Sequence, residues 1–186
     1  MTDEINKALD ILKDGGLILY PTDTIWGIGC DATNRDAVER IYRIKKRDDS
    51  KSMLILLDSE NRLPSYVREV PEVAWELIEA ADRPLTIIYP GAKNIAANLV
   101  ADDGSAGIRI TRDPFCKSLI SRFRKPLVST SANISGQPAP SIFSEITSEI
   151  RDSVDYIVRW RQEDIKKSAP SSIIKLDNSG RFTIIR

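Results

Sequence analysis

Between residues 5 and 130 the chain alternates segments of helical period with apolar runs too short to be helices, a pattern that calls for helices packed on a sheet. Ile5, Ala8, Leu9, Ile11 and Leu12 fall at helical spacing behind the capping candidates Thr2 and Asp3, and Gly15-Gly16 ends the pattern. A second helix is predicted over residues 35–44, with Val38, Ile41 and Tyr42 inward. Pro71 opens a third through Val73, Ala74, Leu77 and Ile78, and residues 114–122 read as a fourth. Residues 17–20, 53–57, 85–89, 108–111 and 126–130 read as strands. The turn cluster Asp177-Asn178-Ser179-Gly180 lies between residues 172–176 and 182–185, so a β-hairpin is expected there, adding antiparallel strands to an α/β core. No repeat or linker interrupts the 186 residues, and the polar stretch 159–168 reads as a surface loop; one domain over 1–186 is the simplest expectation.

Composition narrows the chemistry. Histidine is absent, which excludes Ser-His-Asp and Cys-His relays, HExxH zinc sites and histidine bases. The two cysteines, Cys30 and Cys116, are far apart and give neither a zinc pattern nor a disulfide framework. Lys+Arg and Asp+Glu both number 27, so no global basic field favours non-specific nucleic-acid binding. There is no apolar stretch of membrane-spanning length and no signal-peptide pattern, so a cytoplasmic protein is expected. Lys, Arg, hydroxyls, amides, carboxylates or a bound metal must carry any reaction.

Three segments hold candidate chemistry. Tyr20-Pro21-Thr22-Asp23-Thr24-Ile25-Trp26-Gly27-Ile28-Gly29 follows a strand and concentrates hydroxyls, a carboxylate and glycines; it is either a ligand loop or a tight turn whose polar groups bond their own backbone, with Trp26 filling the core. Lys45-Lys46-Arg47 ends a helix: a solvated helix end, or a cationic arm for phosphate. If the chain is extended there, Lys45 and Arg47 share a face and Lys46 points away. Ser129-Thr130-Ser131-Ala132-Asn133 ends a strand in small polar groups, more than one helix cap requires. Arg109, in a strand, either faces solvent or is buried with an anion. Pro170-Ser171-Ser172 by itself reads as an ordinary turn.

In this order the segments resemble the YrdC-like threonylcarbamoyl-AMP synthase family. Residues 21–32 (PTDTIWGIGCDA), Lys45 and Arg47 as Lys-x-Arg, Arg109, Ser131-Ala132-Asn133, and Pro170-Ser171-Ser172 each match a motif of that family. The resemblance implies a twisted mixed parallel and antiparallel sheet with flanking helices around a concave cavity. In it, L-threonine and bicarbonate or CO2 would form a carbamate that attacks the α-phosphate of ATP, giving threonylcarbamoyl-AMP and pyrophosphate for tRNA modification at position 37. It further implies that Thr24, Arg109, Ser131 and Ser171 hold threonine, and that Lys45, Arg47, Ser105, Asn133, Ser141 and Arg186 hold the nucleotide, with Lys45 and Arg47 catalytic. Mg2+ would accompany ATP, tRNA or double-stranded RNA is a candidate partner, and the threonylcarbamoyl-transfer machinery would act downstream.

A histidine-free chain suits such an adenylation, which relies on in-line positioning and charge neutralisation. The sequence departs from the family pattern at Asp48 and Ser52, where proline is frequent, and at Ala81-Asp82-Arg83-Pro84, where Trp-Pro-Gly-Pro is frequent. The alternative reading is a paralogue of the same fold that binds RNA or nucleotide without adenylating threonine.

Overall fold

The computed structural model describes residues 1–46, 53–165 and 167–186. In chain order its elements are α1 Thr2–Lys13, β1 Ile18–Tyr20, β2 Gly27–Gly29, α2 Arg35–Lys45, β3 Leu54–Leu57, α3 Leu63–Tyr66, α4 Glu72–Ala80, β4 Leu85–Tyr89, β5 Ala106–Ile110, α5 Pro114–Phe123, β6 Leu127–Ser131, α6 Ser148–Arg151, β7 Tyr156–Ile157, β8 Ser172–Leu176 and β9 Phe182–Ile184. The strands form one sheet in the order β7-β1-β2-β6-β3-β5-β4-β8-β9. Pairings β1·β7, β3·β5 and β4·β8 are parallel and the others antiparallel, so the sheet is mixed, with helices flanking it.

Strand alternation divides the apolar residues between two faces. Ile18, Tyr20, Leu56 and Leu127 turn towards α1 and α5, where Ile5, Leu9, Leu12, Phe115, Leu119 and Ile120 cover them. Leu17, Leu19, Ile28, Ile55 and Val128 face the other way, onto Val38, Ile41 and Tyr42 of α2. The helices are locally specified. Asn34 caps α2 by accepting from the Asp36 and Ala37 amides at 3.0 and 3.1 Å. Asp113 caps α5 through the Cys116 amide at 2.9 Å, behind a proline in the first turn.

Two expectations need correction. Thr2 and Asp3 do not cap α1: the helix already includes them, Met1 stands at the cap position, and no side-chain cap bond forms. Residues 27–29, read as part of a turn, are a strand between β1 and β6. Glycine is what admits it, because a Cβ on Gly29 would lie 2.6 Å from both the Tyr20 ring and the Val128 carbonyl oxygen. A strand whose ends are glycine carries no apolar alternation, and so reads as a loop. The short β7 was likewise not anticipated. The expected terminal hairpin is β8 and β9, and β9 forms an edge of the sheet.

Candidate active site

The face that carries Leu56 and Leu127 onto the α1/α5 side also carries Leu54, Ser129 and Ser131, which lie one or two alternations further along the same strands and line a cavity of about 690 Å³. Thr86 and Ile88 of β4, Gly107 and Arg109 of β5, and Ile173 and Lys175 of β8 continue the wall. Thr24, Trp26 and Gly27 close one side, and Ser105, Ser171 and Arg186 another. Its size is that of small-molecule sites in general.

The loop between β1 and β2 is a rigid part of this wall. Thr22 Oγ1 donates to the Ile25 carbonyl at 2.7 Å, accepts from the Thr24 amide at 3.1 Å, and shares a hydrogen bond with Thr24 Oγ1 at 3.0 Å. The turn bonds that were one of the two expectations for this segment are formed, and they leave Thr24 on the cavity wall. Trp26 is buried, packs against Phe143 with ring centroids 5.0 Å apart, and still contributes to the wall.

Arg109 is buried with an anionic partner. Its side chain is 3% exposed, and Nη2 lies 3.1 Å from Asp23 Oδ1. The contact is an ion pair without hydrogen-bond alignment: among the described residues neither Asp23 Oδ1 nor Arg109 Nε has a hydrogen-bond partner. Asp23 Oδ2 accepts from Thr111 Oγ1 at 3.3 Å and from the Arg112 amide at 3.2 Å, which fixes the loop to the end of β5. Asp23 was not among the expected site residues. Its signal was present in the sequence, as the only carboxylate inside the loop segment 20–29.

Thr24, Ser105, Arg109, Ser131, Ser171 and Arg186 all lie on this one cavity wall. Ser171 shares a 2.8 Å hydrogen bond with Thr86 across β4 and β8, a partner the sequence did not single out. Arg186 donates to the Ser171 carbonyl through Nε and Nη2 at 3.2 and 3.1 Å. Ser105 Oγ donates to Asp103 Oδ1 at 2.5 Å, while Lys175 Nζ donates to Asp103 Oδ2 at 2.5 Å. Lys175, followed by Ser105, holds the Asp103 carboxyl down to about 2.

Lys45 and Asn133 sit behind this wall, in contact with each other. The Lys45 ammonium, on a side chain 1% exposed, donates to the Ser131 and Asn133 carbonyls at 2.5 and 2.6 Å and to Asn133 Oδ1 at 3.3 Å. Lys45 is the last residue of α2 and Lys46 caps it in the left-handed region at φ 48°, so at Lys45 the chain is helical, not extended. The contrast between neighbours exists all the same: Lys45 is buried, whereas Lys46 is exposed and pairs with Glu149. Arg47, Asp48 and Ser52 lie outside the described residues. Ser141 is not on the wall; its amide donates to Glu145 at 2.8 Å and its hydroxyl to the Ser168 carbonyl at 3.4 Å. That contact links two loops beside the cavity, and Lys167 adds an ion pair to the same Glu145 at 2.6 Å. The loop 159–165 is anchored too, since Arg161 donates to the Thr22 carbonyl at 3.2 Å and to Asp113 at 3.1 Å.

This arrangement can hold a carboxylate on a buried guanidinium, orient it with hydroxyls, and place a polyanion near further cations. Among the described residues no group of three or more His, Cys, Asp or Glu is placed to form a metal cage. Nor is any described helix long and apolar enough to cross a membrane.

Known proteins share both sequence and fold with this chain. A threonylcarbamoyl-AMP synthase of Pseudoalteromonas translucida (strain TAC 125) is 35% identical over 163 residues, which is 85% of this chain and 87% of that protein. YciO of E. coli superposes with a TM-score of 0.86 at 27% identity, over 100% of this chain and 89% of that one. Sua5 of P. abyssi superposes with a TM-score of 0.87 at 25% identity, over 98% of this chain but only 55% of the longer Sua5 chain. The family model described as telomere recombination, which groups Sua5, YciO and YrdC, matches residues 10–186, and the chain belongs to that family.

Proposed function

We propose that this chain is an L-threonylcarbamoyladenylate synthase, a nucleotidyltransferase that supplies the activated intermediate for threonylcarbamoyladenosine in tRNA. The observation that carries the reading is the single cavity in which buried Arg109 shares a wall with Thr24, Ser131 and Ser171 on one hand and Ser105 and Arg186 on the other. These residues come from segments distant in sequence, and relatives at this level of identity bear the synthase name. The threonine carboxylate would sit on Arg109, whose Nε has no hydrogen-bond partner among the described residues, while Asp23 holds the opposite charge against Nη2.

The threonine amine and CO2, supplied as bicarbonate, form the carbamate with loss of a proton. A carbamate oxygen then bonds to the α-phosphorus of ATP as the bond to the β-phosphate oxygen breaks, and pyrophosphate leaves. No histidine base is needed, because the carbamate is already an anion and the barrier lies in charge build-up on phosphate. Arg186, Lys45 and Arg47 are the groups we assign to oppose that charge, with Asn133, Ser105 and Ser141 positioning the nucleotide. Mg2+ would enter with ATP and would supply further neutralisation of the phosphate charge. The tRNA and the transfer machinery would take the product after release.

The test is pyrophosphate release with ATP, Mg2+, threonine and bicarbonate, each left out in turn, with the adenylate identified by mass spectrometry. Release should require threonine and bicarbonate together. Undiminished release without either one would make the protein a simple ATPase and overturn the synthase assignment.

A further inference from the structure

We propose that Lys175 is an additional phosphate-binding cation of this cavity, and that Asp103 is the counter-ion on which it rests until a nucleotide displaces it. The proposal rests on the nucleotide reading above. Strand β8 alternates, with Ile174 and Leu176 in the core and Ile173 and Lys175 on the cavity wall. The parallel register with β4 puts Lys175 beside Ile88, another wall residue. One carboxylate then joins Lys175 to Ser105, the residue to which a nucleotide role is already assigned: Asp103 accepts from Lys175 through Oδ2 and from the Ser105 hydroxyl and amide through Oδ1.

The cations of the wall are held in different ways. Arg109 is 3% exposed against an Asp23 that is 11% exposed, a pair fixed by burial. The Lys175 and Asp103 side chains are 43% and 51% exposed, so water screens their attraction and a partner of higher charge can replace Asp103. Triphosphate and pyrophosphate are such partners, and the flexible lysine stem can follow them. Asp103 has a second effect. Together with Asp102 it puts negative charge on the wall, which opposes a polyanion until Lys175 turns to meet it.

The two single substitutions therefore have opposite expected signs. Lys175→Gln removes the cation and should weaken binding of Mg2+-ATP and of Mg2+-pyrophosphate by about tenfold, the scale of one charge-assisted contact. Asp103→Asn removes the competing charge, keeps an oxygen to accept from Ser105, and should tighten both severalfold. The KM for threonine should not change in either variant. Calorimetric titration of the full chain with each ligand, at low and moderate salt, supplies the measurement. If the pair is only a surface brace, both variants lower the melting temperature and change affinity in the same direction or not at all, and either result overturns the proposal. If the unaltered chain binds neither ligand, the nucleotide reading itself fails, which is a different outcome from failure of the pair.

Discussion

At the scale of single residues, the buried ions of the cavity wall have different dependencies. Asp23→Asn keeps the bonds to Thr111 and the Arg112 amide available but removes the charge opposite Arg109. The guanidinium would then face solvent-poor surroundings alone until threonine arrives. We expect Asp23→Asn to alter the KM for threonine at least fivefold with little effect on that for ATP, and Arg109→Ala to cost roughly 3–5 kcal/mol in threonine kcat/KM. Steady-state kinetics with each substrate varied separates the two, and equal effects on both substrates would remove Arg109 from the carboxylate site. Lys45 carries a structural load as well as an assigned catalytic one. Lys45→Ala removes the ammonium from the Asn133 carbonyl, at about 1–3 kcal/mol for a group left unsatisfied, and takes one of two donors from the Ser131 carbonyl, which keeps the Asn133 amide at 2.9 Å. Lys46→Ala removes only an exposed pair with Glu149, worth less than about 1 kcal/mol. Denaturant unfolding beside the pyrophosphate assay should show Lys45→Ala impaired in both respects and Lys46→Ala close to unaltered in both.

At the scale of elements, the glycine strand β2 has little room for a side chain at Gly29. Gly29→Ala would push a methyl against the Tyr20 ring and the Val128 carbonyl, and should destabilise the fold by about 1–3 kcal/mol, read as a fall in denaturation midpoint. A midpoint equal to that of the unaltered chain would mean the strand can shift to admit a Cβ. Strands β3 and β4 and helices α2 and α5 announce themselves through apolar runs, period and caps, and their limits fell within a residue or so of expectation. Strand β2 is held by its neighbours and by close approach, neither of which leaves a mark in local hydropathy. Of the candidate site, what order alone could nominate is the company these residues keep: Thr24, Arg109, Ser131 and Ser171, named from the succession of motifs, share one cavity wall. What succession does not reveal is depth. The motif set Lys45 apart from Lys46, but not its place beneath the wall, where its ammonium meets the carbonyls at the end of β6.

At the scale of the whole molecule, both thiols are sealed in. Cys30 and Cys116 are fully covered, burial pushes both thiols well above their usual range, and Cys116 donates to the Pro21 carbonyl at 3.3 Å. Thiolate is the reactive form, so alkylation at neutral pH should be slow in the native protein and should speed up only as the chain unfolds. Labelling in increasing denaturant should therefore track the circular dichroism transition, and fast labelling without denaturant would place one of the thiols at the surface. The strand order has a further consequence. Residue 18 pairs with residue 156 and residue 85 with residue 172, so two of the sheet's parallel pairings join segments distant in sequence. On the ribosome, β1 can pair with β2 and β4 with β5 early, but β1 must wait for β7, and β4 for β8, before its second neighbour arrives. Edges of β1 and β4 therefore stay open through much of synthesis, which makes this a slow-folding topology whose cavity wall is assembled only once β8 has emerged.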